Sequence, residues 1–171
     1  MSELAETTQF LAGREPWSLL PPGEAAAYAR RATASYVRRG TQILTAGSPN
    51  SRMHVIRSGA VEVRDADGVL IDHDEEGHCF GQSSILEERP SRFTFTATED
   101  TLLWSFEADV VRQLVSNPRV MRFFTESRLS DTTRQASEDG PVLQVAVADM
   151  ITRQPVTIDV DCTVGDAAVV M

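Results

Sequence analysis

The sequence contains no lysine: all 16 basic residues are arginine, set against 25 acids for a net charge of -9. The exclusive use of arginine reads as genome composition more than function. Phosphate backbones are held by clustered basic side chains, so the excess of acid counts against a DNA-binding protein. Cysteine is scarce, with only Cys79 and Cys162, far apart and in no paired spacing. One long-range disulfide stays open to such a chain, whereas a disulfide framework is excluded. No apolar stretch approaches the roughly 20 residues that span a bilayer. The acidic, polar start from Met1 to Glu6 is no secretory signal. Together these absences predict a reduced cytoplasmic protein. No repeat or low-complexity tract is present.

What is there is an ordinary globular balance, 42% hydrophobic and 24% charged, which argues against wholesale disorder. A length of 171 residues has room for one domain of usual size and a fragment of a second.

Residues up to about Arg39 read as helical. Gly23 to Thr33 is rich in alanine, with Tyr28 available to pack inward and Pro21-Pro22 placed to start a helix. From Gly40 the punctuation changes. Short apolar runs follow one another (Thr41 to Leu44, Met53 to Ile56, Ala60 to Arg64, Val69 to Asp72), separated by Gly, Pro, Asn and Asp. Such spacing predicts a small antiparallel barrel or sandwich. Val61-Glu62-Val63-Arg64 alternates, which puts both valines on one face. Asp65-Ala66-Asp67-Gly68 supplies hairpin turn chemistry before the next run. Phe93 to Ala97 alternates again, and Leu102 to Phe106 forms a further strand.

Helical signals return after Phe106. Glu107 and Asp109 suit a helix N-terminus, and Val110, Val111, Leu114 and Val115 share a face. Asn117-Pro118 reads as an N-cap followed by proline in the first turn. The next helix presents Val120, Phe123, Phe124 and Ser127 at helical spacing, a stripe that is either core or interface. Ser130 to Asp139 is polar and ends at Gly140-Pro141, a linker. Val142 to Val147 then reads as a strand or buried segment, and Thr163 to Met171 as a helix start.

Gly40, Gly47, Gly59, Gly77 and Gly81 each fall at the end of an expected strand, where glycine supplies positive φ or close backbone approach. With the segments around them they form an ordered set. Arg38-Arg39-Gly40-Thr41-Gln42-Ile43, Ala46-Gly47-Ser48, Val55-Ile56-Arg57-Ser58-Gly59-Ala60-Val61-Glu62-Val63 and Glu76-Gly77-His78-Cys79-Phe80-Gly81-Gln82 resemble successive motifs of the cyclic-nucleotide-binding domain family, over about Phe10 to Arg134.

The resemblance implies a phosphate-binding cassette: a short helix whose N-terminal amides face the cyclic phosphate, an arginine on that phosphate, and a glutamate on the ribose 2′-hydroxyl. Here Ser83-Ser84-Ile85-Leu86 would be that short helix, entered through Gly81 and Gln82, and Val61 is assigned to the same ligand site. Arg92 lies where the phosphate arginine belongs, with Arg89 a second candidate. For Arg92 the other reading is a solvated strand arginine.

Two positions depart from the family's pattern. Gln82 stands in place of the ribose-binding glutamate, and Phe93 replaces the hydroxyl-bearing or small residue that usually follows the arginine. A neutral amide still bonds a hydroxyl but loses charge assistance, at a cost of about 1–2 kcal/mol, roughly 5- to 30-fold in affinity. Phe93 removes a phosphate donor and adds bulk if it faces inward. The two changes together predict weakened or lost nucleotide binding.

Val147 to Ile158 resembles the start of a cystathionine-β-synthase (CBS) motif, and Cys162 to Ala168 its first helix. Such motifs work in pairs around adenine nucleotides, and about half of one is present. The order of domains is similar to bacterial signalling proteins that continue into a second CBS motif and a nucleotidyltransferase region.

Three other chemistries compete. His73, Asp74, Glu75, Glu76 and His78 gather imidazole and carboxylate, as a metal-dependent cupin-like enzyme would, but lack its paired-histidine spacing; a solvated turn is the bland account. His54 reads as a strand residue, and Cys79 as a small buried thiol more than a nucleophile. A transcription factor of the catabolite activator type would need a helix-turn-helix where the acidic CBS-like stretch stands.

The expectations are therefore specific. The fold class is α+β, a small antiparallel β-barrel of jelly-roll type flanked by N- and C-terminal helices. Residues 1–136 form a cyclic-nucleotide-binding-like domain, and residues 137–171 a linker with the start of a CBS domain. The function is a regulatory sensor and not an enzyme, without cofactor or metal, with cAMP, cGMP or another small anion as ligand. Nucleic acid and membrane are not expected as partners. A homodimer through the C-terminal helices is the expected assembly, and a ligand-free dimerisation scaffold is the alternative.

Overall fold

The protein is described by a computed structural model over residues 3–126. The chain enters through helix α1 (Glu3–Ala12), which buries Thr7, Phe10 and Leu11, and a 3-10 turn (Trp17–Leu19) that buries Trp17. Helix α2 (Ala25–Ala29) follows, five residues long, with Ala25, Tyr28 and Ala29 inward.

The alanine-rich stretch was expected to stay helical toward Arg39, and here the structure differs. Strand β1 (Thr33–Val37) pairs antiparallel with the last strand, from Thr33 opposite Ser105 to Val37 opposite Thr101. Thr33, Tyr36 and Val37 are β-branched or aromatic, side chains that suit a pleated surface. Pairing across the sheet then overrides the helical preference of the preceding alanines.

Seven more strands complete the basket: β2 (Gln42–Leu44), β3 (Arg52–Ser58), β4 (Val61–Arg64), β5 (Leu70–Asp74), β6 (Cys79–Phe80), β7 (Thr94–Ala97) and β8 (Thr101–Glu107). Helix α3 (Gln82–Glu87) interrupts the strands between β6 and β7. All pairings are antiparallel, in two four-stranded sheets ordered β1-β8-β3-β6 and β2-β7-β4-β5.

Burial shows how the layers stack. Ile56, Phe80 and Leu103 of the first sheet share one core cluster with Leu44, Val61, Val63 and Phe95 of the second, so the two sheets face each other. Met53, Val55, Trp104 and Phe106 point to the opposite side of the first sheet. There they pack with Phe10, Leu11, Trp17, Tyr28 and the C-terminal helices. The first sheet is thus covered on both faces, which explains why Val55 and Ile56 are buried side by side in sequence. The expected α+β architecture, an antiparallel basket flanked by helices, is the one observed.

Helix α4 (Ala108–Val115) buries Val110, Val111, Leu114 and Val115, the face the spacing predicts. The Asn117 side-chain oxygen accepts from the Arg119 N–H at 3.0 Å and caps the next helix, α5, described over 118–126. Val120 and Phe124 are buried in this unit's own core, with Phe123 half-buried against them. Two members of the stripe are therefore core residues. Gly40, Gly47, Gly59, Gly77 and Gly81 all have positive φ. At Gly59 a Cβ would stand 2.5 Å from the Thr101 hydroxyl, so only glycine fits that turn. The linker, the CBS-like segment and Cys162 lie outside the described residues.

Candidate ligand-binding site

The head of α3 is built by one asparagine and one glycine. Gly81 ends β6 at φ +86°, and a Cβ there would lie 2.6 Å from the Arg52 carbonyl oxygen and 3.0 Å from Asn50 Nδ2. Asn50 Nδ2 donates to the carbonyls of Arg52 (2.7 Å) and Gly81 (2.8 Å) and approaches Ser84 Oγ at 3.0 Å. Its Oδ1 accepts from the Arg52 N–H at 3.0 Å. The buried Ser84 hydroxyl donates back to the Gly81 carbonyl at 2.9 Å. Gly81 and Ser84 thus fix the angle at which the helix leaves the strand.

Gln82 is the first residue of α3, half-buried like Ser83. Its side-chain oxygen, Oε1, is buried and has no hydrogen-bond partner. Buried polar atoms are almost always paired, so an orphan acceptor at this place is informative. Val61 is fully buried on the inner wall of the second sheet.

After α3 the chain turns at Glu88, which adopts left-handed backbone geometry. Exposed Arg89 pairs with Glu87. The backbone of Ser91 is then tied to the turn after β2: its N–H donates to the Ser48 carbonyl at 2.9 Å, and its carbonyl accepts from the Gly47 N–H at 2.8 Å. From there the run alternates. Ser91, Phe95 and Ala97 are buried, and Phe93 is half-buried against the interior cluster. Arg92 is exposed, with its guanidinium carbon 5.5 Å from the Phe93 ring centre.

The structure therefore brings Gly81, Gln82, Ser83 and Ser84 together at the helix head, with Val61 and Phe93 on the interior. Arg92 lies just before β7 and is exposed between the inward Ser91 and Phe93. The inward position beside it belongs to Ser91, which the sequence did not single out; the alternation of Ser91, Phe93 and Phe95 was the available signal.

The competing residues are occupied differently. His73 Nε2 lies 3.3 Å from the Thr98 hydroxyl, and His78 Nδ1 accepts from the Glu75 N–H at 3.0 Å. Among the described residues no three His, Cys, Asp or Glu side chains converge as a metal would require. Burial, and then the nearby Asp74 charge, push the Cys79 thiol up to about 12. At neutral pH such a sulfur carries almost no thiolate, the reactive form. No helix among the described residues is long and apolar enough to cross a membrane.

Residues 34–117 match the model of the cyclic nucleotide-binding domain. A cAMP-dependent protein kinase regulatory subunit of Yarrowia lipolytica is 30% identical over 76 residues, 44% of this chain and 20% of that protein. The chain spans about a fifth of the length of the curated relatives it matches. Among solved structures, cAMP-bound PfPKA-R aligns with a TM-score of 0.72 at 16% identity, covering 80% of this chain and 49% of that one. The sensor domain of the transcriptional regulator DNR from Pseudomonas aeruginosa aligns with a TM-score of 0.65 at 16% identity, over 84% and 99%. Residues 34–117 are thus similar in sequence to the cyclic nucleotide-binding domain family, and the two facing sheets with their flanking helices share the fold of these neighbours.

Proposed function

We propose that the domain is a regulatory sensor, not a catalyst, that takes a nucleotide-type ligand against the segment from Gly81 to Phe93. The single observation behind this reading is the buried, unpartnered Oε1 of Gln82 at the head of α3. A hydroxyl of a bound sugar would satisfy it, and the match of residues 34–117 to the cyclic nucleotide-binding domain makes cAMP or cGMP the first ligands to test. Because an amide stands in place of a carboxylate, that hydrogen bond lacks charge assistance, and about 5- to 30-fold weaker binding follows. Ser83 contributes one backbone N–H in the first turn of the helix, while Val61 and Phe93 belong to the interior cluster. Arg92 reaches a phosphate only if the start of β7 turns inward on binding. A ligand shifts the domain between states only through its preference for one of them, and the helices after Glu107 are the natural readout toward the CBS-like segment.

Calorimetry with cAMP and cGMP tests the reading. Weak saturable heat, strengthened in Gln82→Glu and lost in Arg92→Ala, is the expected result. Silence to millimolar ligand in wild type and Gln82→Glu alike would sink it. That outcome would favour the second reading, a ligand-free dimerisation scaffold, which draws on Phe93 packed into the interior and Arg92 exposed outside. Concentration-dependent sedimentation of the ligand-free chain checks that alternative.

A further inference from the structure

From Ala25 to Val61 the chain carries no acid, and its six basic residues there are Arg30, Arg31, Arg38, Arg39, Arg52 and Arg57. This run reverses the balance of the whole, whose net charge is -9. Four of those arginines flank strand β1: Arg30-Arg31 precede Thr33–Val37, and Arg38-Arg39 follow it. Arg31 is tied to Asp109 at 2.5 Å. Arg30, Arg38 and Arg39 are exposed, and among the described residues their guanidinium groups form no ion pair.

Strand β1 is also an open edge. It ends the sheet ordered β1-β8-β3-β6, and among the described residues its backbone pairs only with β8. Alternate N–H and C=O groups of such a strand face outward unpaired. The other three edges are guarded: β2 and β6 are three and two residues long, and β5 carries Asp72 and Asp74. β1 has five residues and no charge within it. Thr33 to Tyr36 are exposed in succession, hence on both faces, with Tyr36 at 62%, although the adjoining β8 is mostly buried. Asp100 braces one end, accepting from the Tyr36 hydroxyl at 2.5 Å and from the Arg39 N–H at 3.0 Å.

We propose that the outer edge of β1 docks an extended peptide segment of a partner protein, acidic at both ends of an uncharged, β-forming stretch. Strand addition pairs the open N–H and C=O groups, and the flanking arginines select the peptide by charge. The strand spans on the order of 17 Å at about 3.3 Å per residue, the reach of a short linear motif. A second copy of this chain is a poor occupant. Antiparallel pairing of β1 with itself about Ser35 would set Arg31 opposite Arg39, and like charges directly opposed repel. A nucleic acid would meet the arginines but has no backbone pattern to match a strand edge, and the net negative charge of the chain opposes a long polyanion. The site is separate from the Gly81 to Phe93 segment and needs no nucleotide.

Fluorescence anisotropy on the full chain tests the proposal with a labelled synthetic peptide in which Val and Thr alternate between two acidic pairs. Saturable binding is expected, weakened roughly 10-fold or more in the double variant Arg38→Glu, Arg39→Glu. One of the two peptides with a single acidic pair exchanged for arginines should bind that variant better than wild type. Such a gain shows that the variant folds, and which peptide gains reports the strand direction. A central proline keeps the peptide's charge but removes a ladder hydrogen bond, so it should abolish binding. As a second measurement, amide hydrogen exchange within Thr33–Val37 of wild type should slow at saturating peptide. Equal binding of the proline peptide, or unslowed exchange in β1, overturns strand addition. Absence of saturable binding up to millimolar peptide also overturns the proposal, and leaves the arginines as guards of the edge. Tighter binding of a single-stranded oligonucleotide than of the peptide overturns it in favour of nucleic acid.

Discussion

Asn50 and Gly81 meet where the turn after β2 crosses the head of α3, with Nδ2 donating to the glycine carbonyl at 2.8 Å. The contact is possible because Gly81 has no Cβ to collide with the Arg52 carbonyl. Gly81→Ala should destabilise the domain by about 2–4 kcal/mol, from positive-φ strain plus displaced backbone. Urea unfolding measures the loss, and a change below about 1 kcal/mol would show that the loop gives way easily.

His54 sets an acid limit on stability. Burial first, and then the Arg52 charge, lower its pKa from 6.5 to about 4. The folded state thus binds fewer protons than the unfolded chain between those values. Stability present above about pH 6.5 is therefore lost as pH falls toward 4, by up to an amount on the order of 3 kcal/mol. His54→Phe should flatten that part of the profile. Parallel pH profiles for the variant and wild type would contradict the assignment.

Phe80 holds the stack that joins the two sheets. Phe80→Ala should cost about 3–5 kcal/mol, the usual loss for a large buried aromatic. It should also raise the His54 pKa toward its ordinary value, because water then reaches the ring. Histidine proton shifts followed against pH in the variant report this directly.

Cys79 should resist alkylation. With its thiol pushed up to about 12, iodoacetamide at pH 8 is expected to leave it unmodified until the protein unfolds. A Cys162→Ser background isolates the signal in mass spectrometry. Rapid labelling of native protein would show the thiol to be accessible and ionised.

Arg14 ties the N-terminal helical segment to the loop between β5 and β6. Its guanidinium lies 2.6 Å from Glu76 and 3.8 Å from the Phe10 ring centre. Both charged side chains are partly exposed, so a double-mutant cycle should give only about 0.2–1 kcal/mol of coupling. Arg14→Ala should cost somewhat more than that coupling, since the contact with Phe10 goes with it.

Much of this was legible because it is local. The alternation of Val61 and Val63, the turn after Arg64, and the face of Val110, Val111, Leu114 and Val115 each repeat with the period of one element. The turn shows how local such chemistry is: Asp65 Oδ1 accepts from the N–H groups of Asp67 and Val69 at 2.9 and 2.8 Å. Gly81 was legible for the same reason, as a backbone demand written at one position. Thr33 to Val37 was not, because its strand exists only through pairing with β8. Arg92 was singled out by its place in a motif, yet the course of the backbone leading into β7 sets the side it faces. His54 looked like any strand residue.

The amino-acid order alone determined that this chain makes short antiparallel strands closed by glycine turns and followed by amphipathic helices, since each of those features lies within a few residues of its cause. The tertiary structure alone decided which side chains meet across the basket. Ser105 and His54 are 51 residues apart, and only the register of β3 against β8 makes them neighbours. Registers are set by pairing summed over whole sheets, a quantity no short stretch of sequence contains.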